Sequence, residues 1–116
     1  YYEDVDLSIR CAAAGGRLVV VDGVTVVHAV GATQVNGKSP LYVRYCCRNR
    51  LLLAAKHLSR REVLRWIAYT PRSSWLIARR AARRRELMRR PDLLAAMVSG
   101  TLLGLGHAAR RLARST

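Results

Sequence analysis

Arg17-Leu18-Val19-Val20-Val21-Asp22-Gly23-Val24-Thr25-Val26-Val27-His28 is the stretch on which the fold class turns. Two β-branched runs flank an Asp-Gly pair that reads as a turn. The pattern predicts a strand over 17–21 and a second over 24–27, ending at His28. Upstream, residues 3–14 read as a helix. Glu3, Asp4 and Asp6 crowd its start, where the macrodipole favours acids. Val5, Ile9 and Ala12-Ala13 recur at helical spacing, and Gly15-Gly16 closes the segment as a C-cap pair. Downstream, 31–40 is rich in Gly, Thr, Gln, Asn and Ser, the composition of a loop.

From Leu41 onward the chain reads as helices. One covers 41–57. Ser59 caps the next, with Glu62 in capping-box position, and that helix runs to about Tyr69. Pro71 interrupts, a third helix covers 73–89, and Pro91 opens a fourth to Leu112. A helix, two strands and a helical remainder predict an α/β fold.

The charge is unevenly placed. The chain has 116 residues and a formal charge of +14, and all but Lys38 and Lys56 of its 21 basic residues are arginines. Residues 1–40 carry a net −1 and residues 41–116 a net +15. The first part can hold chemistry. The second must meet something anionic, because like charges at this density destabilise a compact state. The three cysteines, Cys11, Cys46 and Cys47, form neither a disulfide framework nor a zinc spacing, and are expected as reduced thiols of a cytosolic protein. The chain opens Tyr1-Tyr2-Glu3-Asp4, inside an ordered element and without a signal-peptide pattern, so a segment of a longer or processed protein is expected.

The longest stretch without a charged side chain, Leu93 to Ala109, is 17 residues and holds three glycines. A span wants about 20 predominantly apolar residues, so an interfacial helix is expected there. The segment around Trp75 has the same character. At 100° per residue, Trp75, Ile77, Ala78, Ala81, Ala82 and Met88 share one side; Arg72, Arg79, Arg80, Arg83, Arg84 and Arg90 share the other, with Arg85 and Arg89 intruding on the apolar side. Each arginine near an anionic leaflet contributes about 1 kcal/mol. Residues 59–116 are therefore expected as a basic amphipathic tail lying on the cytoplasmic face of the cell membrane.

Tyr2-Glu3-Asp4-Val5-Asp6-Leu7-Ser8-Ile9-Arg10, then Ala14-Gly15-Gly16-Arg17-Leu18, then Val26-Val27-His28-Ala29-Val30-Gly31, resembles family 2 glycosyltransferases. Tyr45-Cys46-Cys47-Arg48-Asn49-Arg50-Leu51-Leu52-Leu53 resembles the Tyr-x-x-Arg-Asn helix of bacterial, rhamnosyltransferase-like members. The likeness covers residues 1–57. It implies the C-terminal portion of a GT-A α/β core over 1–40, the Tyr-x-x-Arg-Asn helix over 41–58, and inverting transfer from a nucleotide-sugar donor to a glycan or lipid-linked acceptor for cell-surface polysaccharide. Asp4 would be the general base that takes the acceptor's proton, with Glu3 beside it. His28 would help hold Mg²⁺ or Mn²⁺ against the leaving diphosphate. Arg48 and Asn49 would stand near the donor or acceptor, and the 31–39 loop would close as a lid. The family's Asp-x-Asp metal motif and donor-binding strands are not found in these 116 residues, so the isolated chain is expected to be inactive. Asp6 and Arg10 read as a structural i, i+4 helix pair.

Arg-rich helices at pI 11.3 also fit nucleic acid. Tyr42, Tyr45, Trp66 and Trp75 are the candidate stacking residues. Aromatics are only 6% of the chain, and the arginines alternate with Leu, Ala and Trp on amphipathic helices, which favours a membrane surface over nucleic acid. A non-catalytic basic module binding either polyanion is the rival to catalysis.

Overall fold

A computed structural model of the chain describes residues 1–27, 38–82 and 84–114, Arg84 by its backbone alone. Six helices follow in order: α1 (Glu3–Ala13), α2 (Pro40–His57), α3 (Arg60–Ala68), α4 (Thr70–Ala81), α5 (Arg84–Leu87) and α6 (Pro91–Ala113). No strand forms among the described residues. The molecule is all-α, and the expected α/β GT-A core is overturned.

The two β-branched runs explain the difference. The turn between them is real, with Gly23 at φ 81°, but its flanks do not pair. Val20 is 93% exposed and Val27 92%. Val19, Val21, Val24 and Val26 are exposed as well, so both faces of each run are apolar and uncovered. A run of that kind is stable only inside a sheet covered on both faces, and a lone hairpin is marginal in water. Nothing among the described residues supplies that cover.

The helices follow their local signals. α1 ends in a Schellman arrangement: the Gly16 N–H donates to the Cys11 carbonyl at 2.9 Å and the Gly15 N–H to that of Ala12 at 3.0 Å, with Gly15 at φ 79°. The Ser39 hydroxyl caps α2 by accepting from the Tyr42 N–H, with Pro40 at the first turn. Ser59 and Glu62 form the complete capping box of α3. The sequence-based third helix over 73–89 is corrected at both ends. Pro71 sits in the first turn of α4 instead of breaking a helix, and Ala82 is extended (φ −149°, ψ 153°), separating α4 from the single turn of α5.

The largest contact is between α2 and α6. A Cβ on Gly100 would collide with the backbone of Arg44, and one on Gly104 would lie 3.0 Å from the Arg48 carbonyl. Both numbers rise by four together, so the two helices run parallel. Ala96, Gly100, Gly104 and Ala108 form the buried stripe on α6, facing Val43, Cys47 and Leu51 of α2. Small residues are what allow two backbones this close. α4 joins through the Ser74 and Thr101 hydroxyls, 2.8 Å apart. Leu87 and Leu93 are fully buried and close the end of the core near the start of α6. The surface is 8733 Å², against about 6,300 Å² for a compact protein of this mass, and the radius of gyration is 16.5 Å against about 13 Å.

α6 is long and apolar enough to cross a membrane, and 28% of its apolar window is buried. Val98, Leu102 and Leu103 on it are exposed.

Gly100→Ala should lower the unfolding free energy by about 1–3 kcal/mol, because the colliding atoms are backbone and cannot swing away. Gly106, with nothing within 4 Å of its Cβ position, should tolerate Ala or gain up to about 1 kcal/mol from helix propensity. Urea unfolding of the two variants followed by circular dichroism checks the contrast; equal effects would remove Gly100 from its role in the seam.

Candidate functional site

A groove of about 350 Å³ lies between the start of α1 and the middle of α2. α2 presents Asn49, Leu52, Leu53 and Lys56 to it, the i, i+3, i+4, i+7 stripe of one helix face. α1 presents Tyr1, Tyr2, Glu3 and Asp6. Segments nearly fifty residues apart in sequence thus share one cleft.

Asp6 holds them together. One of its carboxylate oxygens accepts from Lys56 Nζ at 3.1 Å and meets His57 Nε2 at 2.7 Å; the other accepts from Arg10 Nε at 3.0 Å. The hydrogen bonds from His57 and Lys56 pull its pKa from 3.8 to about 2. The Asp6–Arg10 pair is present as the spacing predicts, but Asp6 also carries the long-range tie between α1 and α2. A second tie is made by Asn49, whose Nδ2 donates to the Tyr1 carbonyl at 3.0 Å.

Tyr2 stands at the N-cap of α1 with φ 73°, left-handed backbone that costs a non-glycine residue about 1–2 kcal/mol. It is half-buried, and burial raises its phenol pKa. Tyr1 meets Tyr42 edge to face, with centroids 4.8 Å apart. The cleft therefore offers two aromatic rings, two carboxylates, an amide and an ammonium group.

The residues singled out from sequence separate here. Glu3 lines the groove with its carboxylate exposed. Asp4 is exposed and lies outside the groove lining, about 160° round α1 from Asp6, and its Oδ1 accepts from the Val5 N–H at 2.9 Å. Asn49 faces the groove. Arg48, about 100° further round the helix, stands instead over the Tyr45 ring at 5.8 Å. His28 and the 31–37 part of the expected lid lie outside the described residues, as do Arg83 and the Arg84 side chain. Arg72, Arg79 and Arg80 are exposed on α4, and Trp75 is half-buried against α6.

His28, through which the resemblance implies a divalent cation, lies outside the described residues, and the groove itself offers no ready cation site. Both oxygens of Asp6 are already engaged by cations, and no cluster of three His, Cys, Asp or Glu side chains able to hold a metal occurs among the described residues.

Sequence reading missed Arg50. It is 7% exposed, donates from Nη2 to Thr70 Oγ1 at 2.8 Å and stacks over Trp66 at 5.2 Å. Burial lowers its pKa, and its Nε has no partner. It ties α2, the groove wall, to the α3–α4 corner. Its neighbours Arg48 and Asn49 carried the motif, and only the burial of position 50 reveals its part.

No family model, curated protein or solved structure matches the chain.

The depressed Asp6 pKa predicts an acid-sensitive α1. The stabilisation is complete above the ordinary carboxyl value near 3.8 and is lost as pH falls through about 2. Carbon-detected NMR of the Asp6 carboxyl should show its titration near pH 2, with loss of α1–α2 contacts over the same window. Asp6→Asn should remove that step and loosen α1 at neutral pH; a titration near 4 would dissolve the proposed tie.

Proposed function

We propose that this chain forms the acceptor side of an inverting, nucleotide-sugar-dependent glycosyltransferase acting on a glycan or lipid-linked acceptor at the cytoplasmic face of the membrane. The observation that carries this is the convergence of the Tyr2–Arg10 segment with Asn49 on one groove. These are two of the separate stretches in which the sequence resembles family 2 enzymes. The groove's size is within the ordinary range for small-molecule sites. Its tyrosines offer faces for a sugar ring; Asn49, Glu3 and Lys56 offer hydrogen bonds to hydroxyl groups.

In this reading Asp4 is the base. Among the described residues its exposed carboxylate bonds only the Val5 N–H of its own helix, which leaves it open to a hydroxyl, although it lies outside the groove lining and about 160° round α1 from Asp6. It takes the proton of the acceptor hydroxyl as the oxygen attacks the anomeric carbon and the nucleoside diphosphate departs from the opposite face. Glu3, inside the groove, orients the acceptor. Asp6 is a positioning residue, since its oxygens are occupied in holding α1.

The packing of α6 supports a surface location. A crossing α6 would carry with it the α2 backbone at Arg44 and Arg48, and with it Asn49 and Arg50. Each charged residue at bilayer depth costs about 2.5–3.5 kcal/mol on insertion scales. Lying on the surface, the same layer keeps Arg72, Arg79 and Arg80 at headgroup level. The competing nucleic-acid reading draws less support. Of the four candidate stacking residues, Tyr42, Tyr45 and Trp66 have a ring face taken by the chain's own Lys38, Arg48 and Arg50, and Trp75 is half-buried in a cavity wall.

In the protein expressed from the gene that carries this chain, Asp4→Asn should cut sugar transfer by about 10²–10⁴-fold in kcat while leaving the thermal transition unchanged. Glu3→Gln should act chiefly on the acceptor KM. Transfer retained in Asp4→Asn, with kcat lost in Glu3→Gln, would move the base to Glu3; retention in both would remove the groove from catalysis.

A further inference from the structure

A second cavity, of about 420 Å³, opens between α6 and the α3–α4 corner. Ile67, Pro71 and Trp75 form one wall and Met97, Val98 and Leu105 the other. Three hydroxyls reach its lining, and each is satisfied within the protein. Ser74 and Thr101 bond each other at 2.8 Å, and Thr70 donates to the Trp66 carbonyl at 2.7 Å while accepting from Arg50. What remains facing the cavity is hydrocarbon. A dry apolar cavity of about 150 Å³ already holds benzene, so this one has room for a longer chain.

The mouth has a different chemistry from the walls. Val98 is 51% exposed there, and Leu102, Leu76 and Tyr69 extend the exposed apolar surface on α6, α4 and the α3–α4 corner. Trp75 lies at the border of the apolar side of α4, so Arg72 and Arg79, three residues before and four after it, stand exposed only about 60° and 40° round the helix from that cavity-wall ring, although the projection puts them on the arginine side. An apolar slot with two guanidinium groups on the helix that walls it complements a molecule with a long hydrocarbon tail and an anionic head. We propose that this cavity takes one hydrocarbon tail of an anionic membrane lipid, with Arg72 and Arg79 on its headgroup. The site rests on the membrane-surface part of the function proposed above and fixes where the layer grips the bilayer. It is separate from the groove: the two cavities share no lining residue.

The test uses the full chain with Trp66→Phe, which leaves Trp75 as the sole indole. Two probes are used: dodecyl phosphate below its micelle concentration, and vesicles of phosphatidylglycerol or phosphatidylcholine with brominated tails, whose bromines quench an indole they touch. Dodecyl phosphate should shift Trp75 emission saturably, and brominated phosphatidylglycerol should quench it where brominated phosphatidylcholine does not. Each methylene kept out of the cavity is worth about fourfold in affinity, so Val98→Phe at the mouth, which blocks it without adding an indole, should weaken dodecyl phosphate more than about tenfold. Val98→Asp, which sets a carboxylate at the same edge, should do likewise. Far-UV circular dichroism confirms that both variants stay helical. Equal affinity in the parent and both variants would overturn the site, as would the absence of any response to dodecyl phosphate. Vesicles that bind without quenching would leave the membrane-surface reading standing and the tail site refuted. Capture of dodecyl phosphate by a chain that ignores anionic vesicles would refute the bilayer as the source.

Discussion

The parallel contact of α2 with α6 is the constraint on which the rest of the molecule depends. At Gly100 and Gly104 the approach is limited by backbone, so the spacing of the helices is set by atoms that cannot adopt another rotamer. Once α2 is fixed, its two other sides are assigned. One carries Asn49, Leu52, Leu53 and Lys56 to the groove; another carries Arg50 to Thr70 and Trp66. A parallel pair needs a crossover, and α3 and α4 are that crossover. They return the chain to the start of α6 while closing the second cavity.

α1 depends on α2 differently. None of its residues is buried, so little hydrophobic area holds it. It is held by polar ties: Asp6 with Lys56 and His57, and Tyr1 with Asn49. Such ties are directional and weak against water. They set the position of a short segment well and resist its removal poorly. The groove is therefore formed by one rigid wall and one wall pinned at a few points.

Much of the helical plan was legible from local chemistry. The Ser59–Glu62 box, the Pro at the start of α6 and the Gly pair after α1 act within a few residues of themselves, and the structure forms them where the spacing indicated. The α/β expectation failed because strand formation is not local. Residues 17–27 have strand composition, yet a strand exists only with a neighbour, and no residue inside the run states whether that neighbour is present. The break at Ala82 was hidden for a related reason, since Ala is the best helix former and gives no stop signal. At the groove, Glu3 and Asn49 were legible from their motifs. The placement of Asp6 and Arg50 was not, because each acts on residues twenty or more positions away.

The 17–27 segment has a consequence for how the chain behaves in concentrated solution. Its valines are presented to water with only Arg17 and Asp22 among them as gatekeeping charges, and no proline. A segment of high β-propensity with free edges is a template for pairing with a copy of itself. The helical layer carries a large positive charge that keeps copies apart at low ionic strength. Salt screens that repulsion and leaves the valines untouched. Shelf life in the tube is thus governed by a piece of chain that contributes little to the melting point, and raising the salt shortens it while the helices stay intact.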